Sequence, residues 1–171
     1  RSQGLFEPLI DALGNTSLIV RGPKPAAALS KVGLKYAVRA PEPNTWRELV
    51  AAIDESGICI NGQAVAVQEY GVPNARLYAE LVQRGAILTP VPVYRWALPE
   101  DTTPLEMALK ETAASRVDIL LFTSANQVSN IIAVAEQHGL LEAIRTAIVS
   151  RTHVASIGPT CSEALADNGF P

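Results

Sequence analysis

The sequence predicts an α/β fold of two similar domains, each a parallel sheet flanked by helices. Three observations carry this reading. Short apolar runs alternate with amphipathic segments along the 171-residue chain, which is the rhythm of strand–helix–strand units. A proline-rich stretch, Thr89-Pro-Val-Pro-Val-Tyr-Arg-Trp-Ala-Leu-Pro99, interrupts that rhythm near the middle. The segment SIGPTCSEALADNGF, at 156–170, lies over VRGPKPAAALSKVGL, at 20–34. Gly158-Pro159 falls on Gly22-Pro23, Ala164-Leu165 on Ala28-Leu29, and Gly169 on Gly33. Upstream, Gly4-Leu-Phe-Glu7 sits 18 residues before Gly22, and Gly139-Leu-Leu-Glu142 sits 19 before Gly158. One unit of helix, strand, Gly-Pro turn and helix is therefore written twice.

The elements follow in order. Leu18-Ile-Val20 reads as a strand, Gly22-Pro23 as a turn, and 25–32 as a helix. Tyr36-Ala-Val38 is the next strand. Trp46, Leu49, Val50 and Ile53 recur at i, i+3, i+4, i+7, one face of a helix, and Thr45 with Glu48 supplies a capping box at its start. Ala64-Val-Ala-Val67 is a strand, 68–73 a turn, and 74–84 a helix stopped by Gly85. Residues 87–91 form a strand, after which the prolines deny helix and favour extended chain, a linker or crossing strand. A helix at 104–115, a buried strand Val117-Asp-Ile-Leu-Leu-Phe122, a turn Thr123-Ser-Ala-Asn126 and a helix at 128–137 follow. A helix at 140–148, a strand at 153–156 and a helix at 160–166 end the chain. Strands alternating with helices predict parallel sheets covered on both faces, one sheet on each side of the proline-rich segment. The second copy is preceded by a strand and turn that the first lacks. The first copy runs on to a strand that the second lacks. The repeat thus predicts a chain cut at both ends relative to its parent fold.

Composition narrows the function classes. Hydrophobic residues make up 48% and charged residues 18%, the balance of a folded globular chain. The net charge of −3 offers no basic field for nucleic acid. Cys59 and Cys161 are too few for a disulfide framework, and a cytoplasmic setting is expected. His138 and His153 are the only histidines, and no metal-ligand spacing occurs. No apolar run approaches the roughly 20 residues that cross a bilayer, and Arg1-Ser2-Gln3 opens no signal peptide. No GxGxxG follows a strand, and no GxxxxGK[ST] or G-x-S-x-G is present.

The turns remain. A Gly-Pro pair between strand and helix has a purely conformational reading, a tight turn followed by a proline whose missing N–H costs nothing. The same geometry also places first-turn N–H groups and a positive dipole end where phosphates or carboxylates bind, at the carboxyl edge of a parallel sheet. Four such turns recur: Gly22-Pro23, Tyr70-Gly-Val-Pro73, Thr123-Ser-Ala-Asn126 and Gly158-Pro159, with Ser124, Asn126 and Thr160 as side-chain donors. Together they would hold a polyanion without a net positive charge. Cys161 at a helix start is either a thiol of lowered pKa or a buried, tolerated one.

Three stretches together resemble the uroporphyrinogen-III synthase family. Val117-Asp-Ile-Leu-Leu-Phe-Thr-Ser-Ala-Asn-Gln-Val128 is similar to that family's strand ending in F-T-S-x-x-x-V. Ala155-Ser-Ile-Gly-Pro-Thr-Cys-Ser-Glu-Ala-Leu165 is similar to its I-G-x-x-T-x-x-A-L, and Pro92-Val-Tyr-Arg95 resembles its linker. The resemblance implies two α/β domains joined by a two-stranded linker, with the active site in the cleft between them. Residues 1–90 would be most of an inserted domain, lacking its N-terminal part. Residues 91–171 would be the linker and the returning part of the terminal domain. The implied reaction is a lyase reaction of tetrapyrrole (haem, sirohaem, cobalamin) biosynthesis. Hydroxymethylbilane, a linear tetrapyrrole with eight carboxylates, is cyclised with inversion of ring D and loss of water. The enzyme implied is a cytoplasmic monomer acting on this small molecule, without cofactor, metal, nucleic acid or membrane.

On this resemblance Tyr94 is the candidate proton donor, a phenol of pKa about 10 and so protonated at neutral pH; its other reading is a packed linker tyrosine. The candidate substrate-binding residues are Arg21, Gly22, Tyr70, Gly71, Thr123, Ser124, Ala125, Asn126, Gly158, Pro159, Thr160 and Cys161. Two departures stand out. Cys161 replaces the family's threonine, and Gln68-Glu69-Tyr70-Gly71 stands where many members have P-R-G, so Glu69 would repel a carboxylate if it faced the ligand. Arg21 and Lys24 offer compensating charge. A non-catalytic tetrapyrrole- or carboxylate-binding regulatory module on the same fold is the alternative. A two-lobed periplasmic-type binding protein is disfavoured by the missing signal sequence.

Overall fold

The computed structural model describes residues 4–170. The chain forms two compact units, the first ending at Arg95 and the second beginning at Trp96. The first runs α1 (Phe6–Gly14), β1 (Ile19–Val20), α2 (Pro23–Ser30), β2 (Val38–Arg39), α3 (Trp46–Ser56), β3 (Ala64–Glu69), α4 (Ala75–Gln83) and β4 (Ile87–Pro92). The second runs α5 (Thr103–Ala113), β5 (Ile119–Phe122), α6 (Ala125–Gln137), α7 (Leu141–Ser150), β6 (His153–Ser156) and α8 (Pro159–Asp167). The duplicated order is visible as α1-β1-α2 and α7-β6-α8.

All strand pairs are parallel, as the alternating rhythm predicts, but the strands make three two-stranded ladders rather than two sheets: β1-β2, β3-β4 and β5-β6. A second expectation also needs correction. Strands β3 and β5 are covered on one face and open on the other. Along β3 exposure alternates residue by residue, with Val65, Val67 and Glu69 inward and Ala64, Ala66 and Gln68 outward. The supposedly buried strand β5 leaves Ile119 62% and Leu121 67% exposed, while Phe122 is buried. A two-residue side-chain period turns successive residues to opposite faces, and helices cover only one of them here.

Each unit closes over its own core. In the first, Val50 and Ile53 of α3 meet Leu77 and Leu81 of α4, with Ile60 and Ala86, against Val65, Val67 and Leu88 of the ladder. These are the periodic apolar positions of both helices, and burying each such side chain contributes about 1.5–3 kcal/mol. α3 starts where the capping box placed it. The Thr45 N–H donates to Glu48 Oε2 at 2.8 Å, the Thr45 hydroxyl donates to the same carboxylate, and Thr45 Oγ1 accepts from Arg47 N–H at 3.2 Å. Arg84 ties the two helices at their ends, donating to both oxygens of Asp54 (2.8 and 2.9 Å) and to Glu80 (2.6 Å). In the second unit Leu109, Phe122, Val128, Val134, Ile144, Leu165 and Phe170 are central to the core.

Most helices end in one way. The N–H of the residue after a left-handed turn returns to a carbonyl five residues back. The pairs are Leu34 to Leu29, Ala86 to Leu81, Arg116 to Glu111, Leu140 to Ala135, and Phe170 to Leu165, after Gly33, Gly85, Ser115, Gly139 and Gly169. The matching closures of α2 and α8 are the repeat seen at atomic level. Gly85 is the most constrained of these glycines. Its φ is +82°, and an added Cβ would lie 2.1 Å from Asn61 Oδ1.

Two prolines of the interrupting stretch, Pro90 and Pro92, lie inside β4. Ile87 N–H donates to Gln63 O at 2.8 Å, so residues of its parity face the partner strand. Pro90 and Pro92 have the other parity. They sit on a side that needs no ladder donor, as expected for a two-stranded ladder. Glu69, at the end of β3, faces α4, where Tyr78 donates to its carboxylate at 2.6 Å. Partial burial, then the hydrogen bond to Glu69 and its charge, push the Tyr78 phenol up to about 12.

Gly85→Ala is expected to lower the stability of the chain by about 1–3 kcal/mol, the cost of a left-handed backbone with a Cβ, read as a lower urea midpoint with unchanged m-value. Tyr78 has a raised folded pKa. Its contribution is therefore complete below the unfolded value of about 10 and is lost as pH rises through about 12. Tyr78→Phe is expected to cost about 1 kcal/mol at neutral pH and to remove that alkaline loss, measured by urea unfolding between pH 8 and 12.

Candidate functional site

The carboxyl ends of the strands collect the candidate residues of each unit. In the first unit the β3-β4 register, which ends at Glu69↔Pro92, sends the chain into Tyr70-Gly71 on one strand and Val93-Tyr94 on the other. The two tyrosine rings meet edge to face, with centroids 5.6 Å apart and planes at 84°. Tyr70 is 65% and Tyr94 42% exposed. Gly71 is half-buried, with φ +74°. β1 delivers Arg21 to the same end of its own ladder, close enough to act electrostatically on Tyr94. Loss of water around the Tyr94 phenol raises its pKa, the Tyr70 oxygen adds to the rise, and the Arg21 charge opposes it. The phenol therefore stays protonated well above neutral pH.

The Gly22-Pro23 turn is built on Asn44. The Asn44 side-chain amide donates to the carbonyls of Arg21 (3.0 Å) and Ala40 (3.2 Å). Gly22 is buried, and a Cβ there would lie 3.3 Å from that amide. Its backbone is fully extended, so close approach, and not a special conformation, is what favours glycine. The expected set of first-turn donors is reduced here. Pro23 and Pro25 carry no N–H, so Lys24 alone supplies one among the first three residues of α2. Arg21 and Lys24 are both exposed. The Tyr70–Pro73 turn is likewise not itself a helix start. α4 begins at Ala75, and Asn74 caps it, its Oδ1 accepting from Leu77 N–H at 3.0 Å.

In the second unit β5 and β6 pair from Ile119↔His153 to Phe122↔Ser156, so the Thr123 and Gly158 turns emerge side by side. Ile157 N–H donates to Phe122 O at 3.0 Å. Ser124 is the N-cap of α6, and Ala125 and Asn126 begin that helix. The Thr123 N–H is already spent, donating to Gln127 Oε1 at 2.8 Å, and its hydroxyl approaches the same atom at 3.2 Å. Gly158 caps α8 in extended conformation, and a Cβ there would meet nothing within 4 Å. Neither conformation nor packing requires glycine at that position. Pro159 and Thr160 are exposed. The Cys161 side chain does not face the turn: it is 2% exposed, lies in the core, and has its Sγ 3.8 Å from Phe122 O. Burial pushes its thiol up, in keeping with the reading of a buried, tolerated thiol and not with that of a lowered pKa, and its N–H is spent on Gly158 O at 3.0 Å.

Sequence reasoning missed Asn44 and Gln127, the side chains that hold two of the turns. Gln127 carried a signal, since Ser124-Ala-Asn-Gln127 has capping-box spacing. Asn44 carried none that points across to Gly22. A separate shallow groove of about 420 Å³ lies at the amino ends of β1 and β2, lined by 14–18 and 35–37, and contains neither Arg21 nor the tyrosine pair. Among the described residues no His, Cys, Asp or Glu cluster is arranged to hold a metal ion, and no helix is long and apolar enough to cross a membrane.

Three known proteins resemble this chain along most of its length. Uncharacterized protein YjjA of Bacillus subtilis (strain 168) is 28% identical over 167 residues, 98% of this chain and 60% of that protein. A protein of Methanothermobacter thermautotrophicus, provisionally named uroporphyrinogen-III synthase, is 31% identical over 153 residues, 88% of this chain and 57% of that one. The crystal structure of a mutant uroporphyrinogen III synthase from the extremely thermophilic bacterium Thermus thermophilus superposes with a TM-score of 0.66 at 29% identity, covering 92% of this chain and 58% of the other. The chain thus spans less than two thirds of the length of each of these relatives. The family model described as Uroporphyrinogen-III synthase HemD matches residues 3–171, and the chain belongs to that family.

Proposed function

We propose that the protein acts as a uroporphyrinogen-III synthase, closing hydroxymethylbilane to its ring-inverted cyclic product with loss of water. The observation that carries this reading is the meeting of Tyr94 with Tyr70 and Arg21 beyond the strand ends of the first unit. A protonated phenol and a cation in one exposed place suit a substrate that bears carboxylates and must lose a hydroxyl group. The pyrrole nitrogen supplies the electron pair that breaks the C–O bond. Tyr94 supplies the proton with which the hydroxyl leaves as water. Closure on the inverted ring then depends on how the bilane is held, so most of the catalysis is positional.

Carboxylate recognition divides by chemistry. Arg21 and Lys24 offer charge with one backbone N–H, at Lys24. Ala125, Asn126 and Thr160 offer helix-start N–H groups, and Thr160 adds a hydroxyl. Gly158 belongs to this set because it caps the helix that offers Thr160, at a position where a Cβ would meet nothing within 4 Å. Glu69 is not a counter-argument, since its carboxylate is held by Tyr78 on the helix side of the ladder. The reading implies residence in the cytoplasm, no cofactor, and action as a monomer. A carboxylate-binding module without cyclase activity is the second reading. It is favoured by the two N–H groups that Pro23 and Pro25 remove from α2.

The test is to incubate the protein with hydroxymethylbilane and separate the product isomers. Isomer III is expected. Binding accompanied only by the isomer I of spontaneous closure would support the second reading. Tyr94→Phe keeps the ring and removes the proton, and is expected to lower kcat by about 10²-fold, measured in steady-state assays of the same cyclisation. Gly158→Ala is expected to change stability by less than about 1 kcal/mol, because a poorer N-cap and a less flexible unfolded chain oppose each other. Its KM for hydroxymethylbilane should rise severalfold, a combination that urea unfolding and initial rates together would show.

A further inference from the structure

We propose that Tyr70 is a positioning residue for Tyr94, acting through the edge-to-face ring contact and not through a bond of its own to substrate. The inference rests on the reading of Tyr94 as proton donor. Both rings stand outside the core of the first unit, which Val50, Ile53, Leu77 and Leu81 complete with the ladder. The ring pair therefore is not part of the packing that the fold depends on. Yet it is geometrically defined: centroids 5.6 Å apart and planes at 84°, within the preferred range for T-shaped pairs.

The backbone brings both segments out at one end of the ladder, although a continued register would set Tyr70 opposite Val93, so the ring contact is made beyond the strands. Glu69 and Pro92 are register partners, and Tyr70 and Tyr94 leave adjacent strands one and two residues later. On the Tyr70 side, the Tyr78 hydrogen bond to Glu69 anchors the last residue of β3, and Gly71 turns the chain immediately after. Tyr70 thus projects from a fixed strand end. Tyr94, in an extended stretch free of helix and strand, gains a wall against which its ring can settle. A ring held by its neighbour points its hydroxyl one way, and the covered side excludes water. Among the groups that act on the Tyr94 phenol are Tyr70 and Arg21, the latter from the end of β1. Arg21 opposes the rise in the phenol's pKa, while Tyr70 favours the protonated, donating form.

The test uses Tyr70→Ala, Tyr70→Phe and Tyr94→Phe, with two readouts. In protein carrying tyrosine labelled with ¹³C at Cζ, the Tyr94 resonance, assigned by its absence in Tyr94→Phe, is titrated from pH 8 to 12. The expected midpoint is highest in the unaltered protein, lower in Tyr70→Phe, which keeps the ring, and lowest in Tyr70→Ala. In the cyclisation assay Tyr70→Ala is expected to lower kcat about tenfold with KM changed less than twofold and its alkaline limb moved to lower pH. Tyr70→Phe should restore most of the lost kcat. A Tyr94 midpoint and kcat indifferent to Tyr70→Ala would overturn the proposal. So would a loss confined to KM and equal in both variants, which would make Tyr70 a substrate contact through its hydroxyl. If no variant and not even the unaltered protein cyclises the bilane, the synthase reading has failed. The order of titration midpoints then decides the ring contact by itself.

Discussion

The parallel ladder between β3 and β4 is the constraint on which the candidate site of the first unit depends. Six residue pairs, from Ala64↔Ile87 to Glu69↔Pro92, fix where each strand ends relative to the other. A shift of one residue would turn Val65, Val67 and Leu88 away from α3 and α4, because side chains alternate along a strand. The core therefore locks the register, and the register brings the Tyr70 and Tyr94 segments out at one end of the ladder. The same parity rule lets Pro90 and Pro92 occupy β4 without losing a ladder bond. Hydrophobic burial several residues away thus fixes where two exposed phenols leave the ladder, and their edge-to-face contact is made beyond it.

The two copies of the repeated unit have kept one backbone and divided the polar chemistry between them. Each has a Gly-Pro turn after a strand, a helix, and a glycine-dependent closure onto the same carbonyl. Around that common frame the first copy places Arg21 and Lys24 but gives up two N–H groups to Pro23 and Pro25. The second copy has no cation at its turn, keeps the N–H and hydroxyl of Thr160, and buries its thiol under Phe122. Gly22 and Gly158 look equivalent in sequence but are glycine for different reasons. The first lies against Asn44, whereas the second faces open space. The two turns therefore differ in kind, with charged side chains at the first and an oriented amide and a hydroxyl at the second.

Much of this molecule is local, and local features are what a sequence states. Every helix was predicted, apart from α1, which was inferred from the repeat, with ends within a few residues of those observed. Caps, prolines and glycines act through backbone groups at most five residues away. The capping box at Thr45, the stop at Gly85 and the parallel sense of all three ladders follow directly from residue order. The family likeness was also legible, in the strand ending at Phe122, the Gly158 turn and the Tyr94 stretch.

What needed the tertiary structure is whatever depends on a partner far along the chain. No spacing rule places Asn44 beneath Gly22, joins Tyr78 to Glu69, or sets Tyr70 on the edge of Tyr94. No propensity tells that Cys161 turns inward while Thr160, one residue before it, stays out. Nor does a run of apolar residues say whether both faces of its strand are covered, as the exposed Ile119 and Leu121 show. Residue order alone determined the elements, their parallel sense and the family. Packing decided which of their side chains meet, because a contact between distant residues exists only after the chain has folded to bring them together.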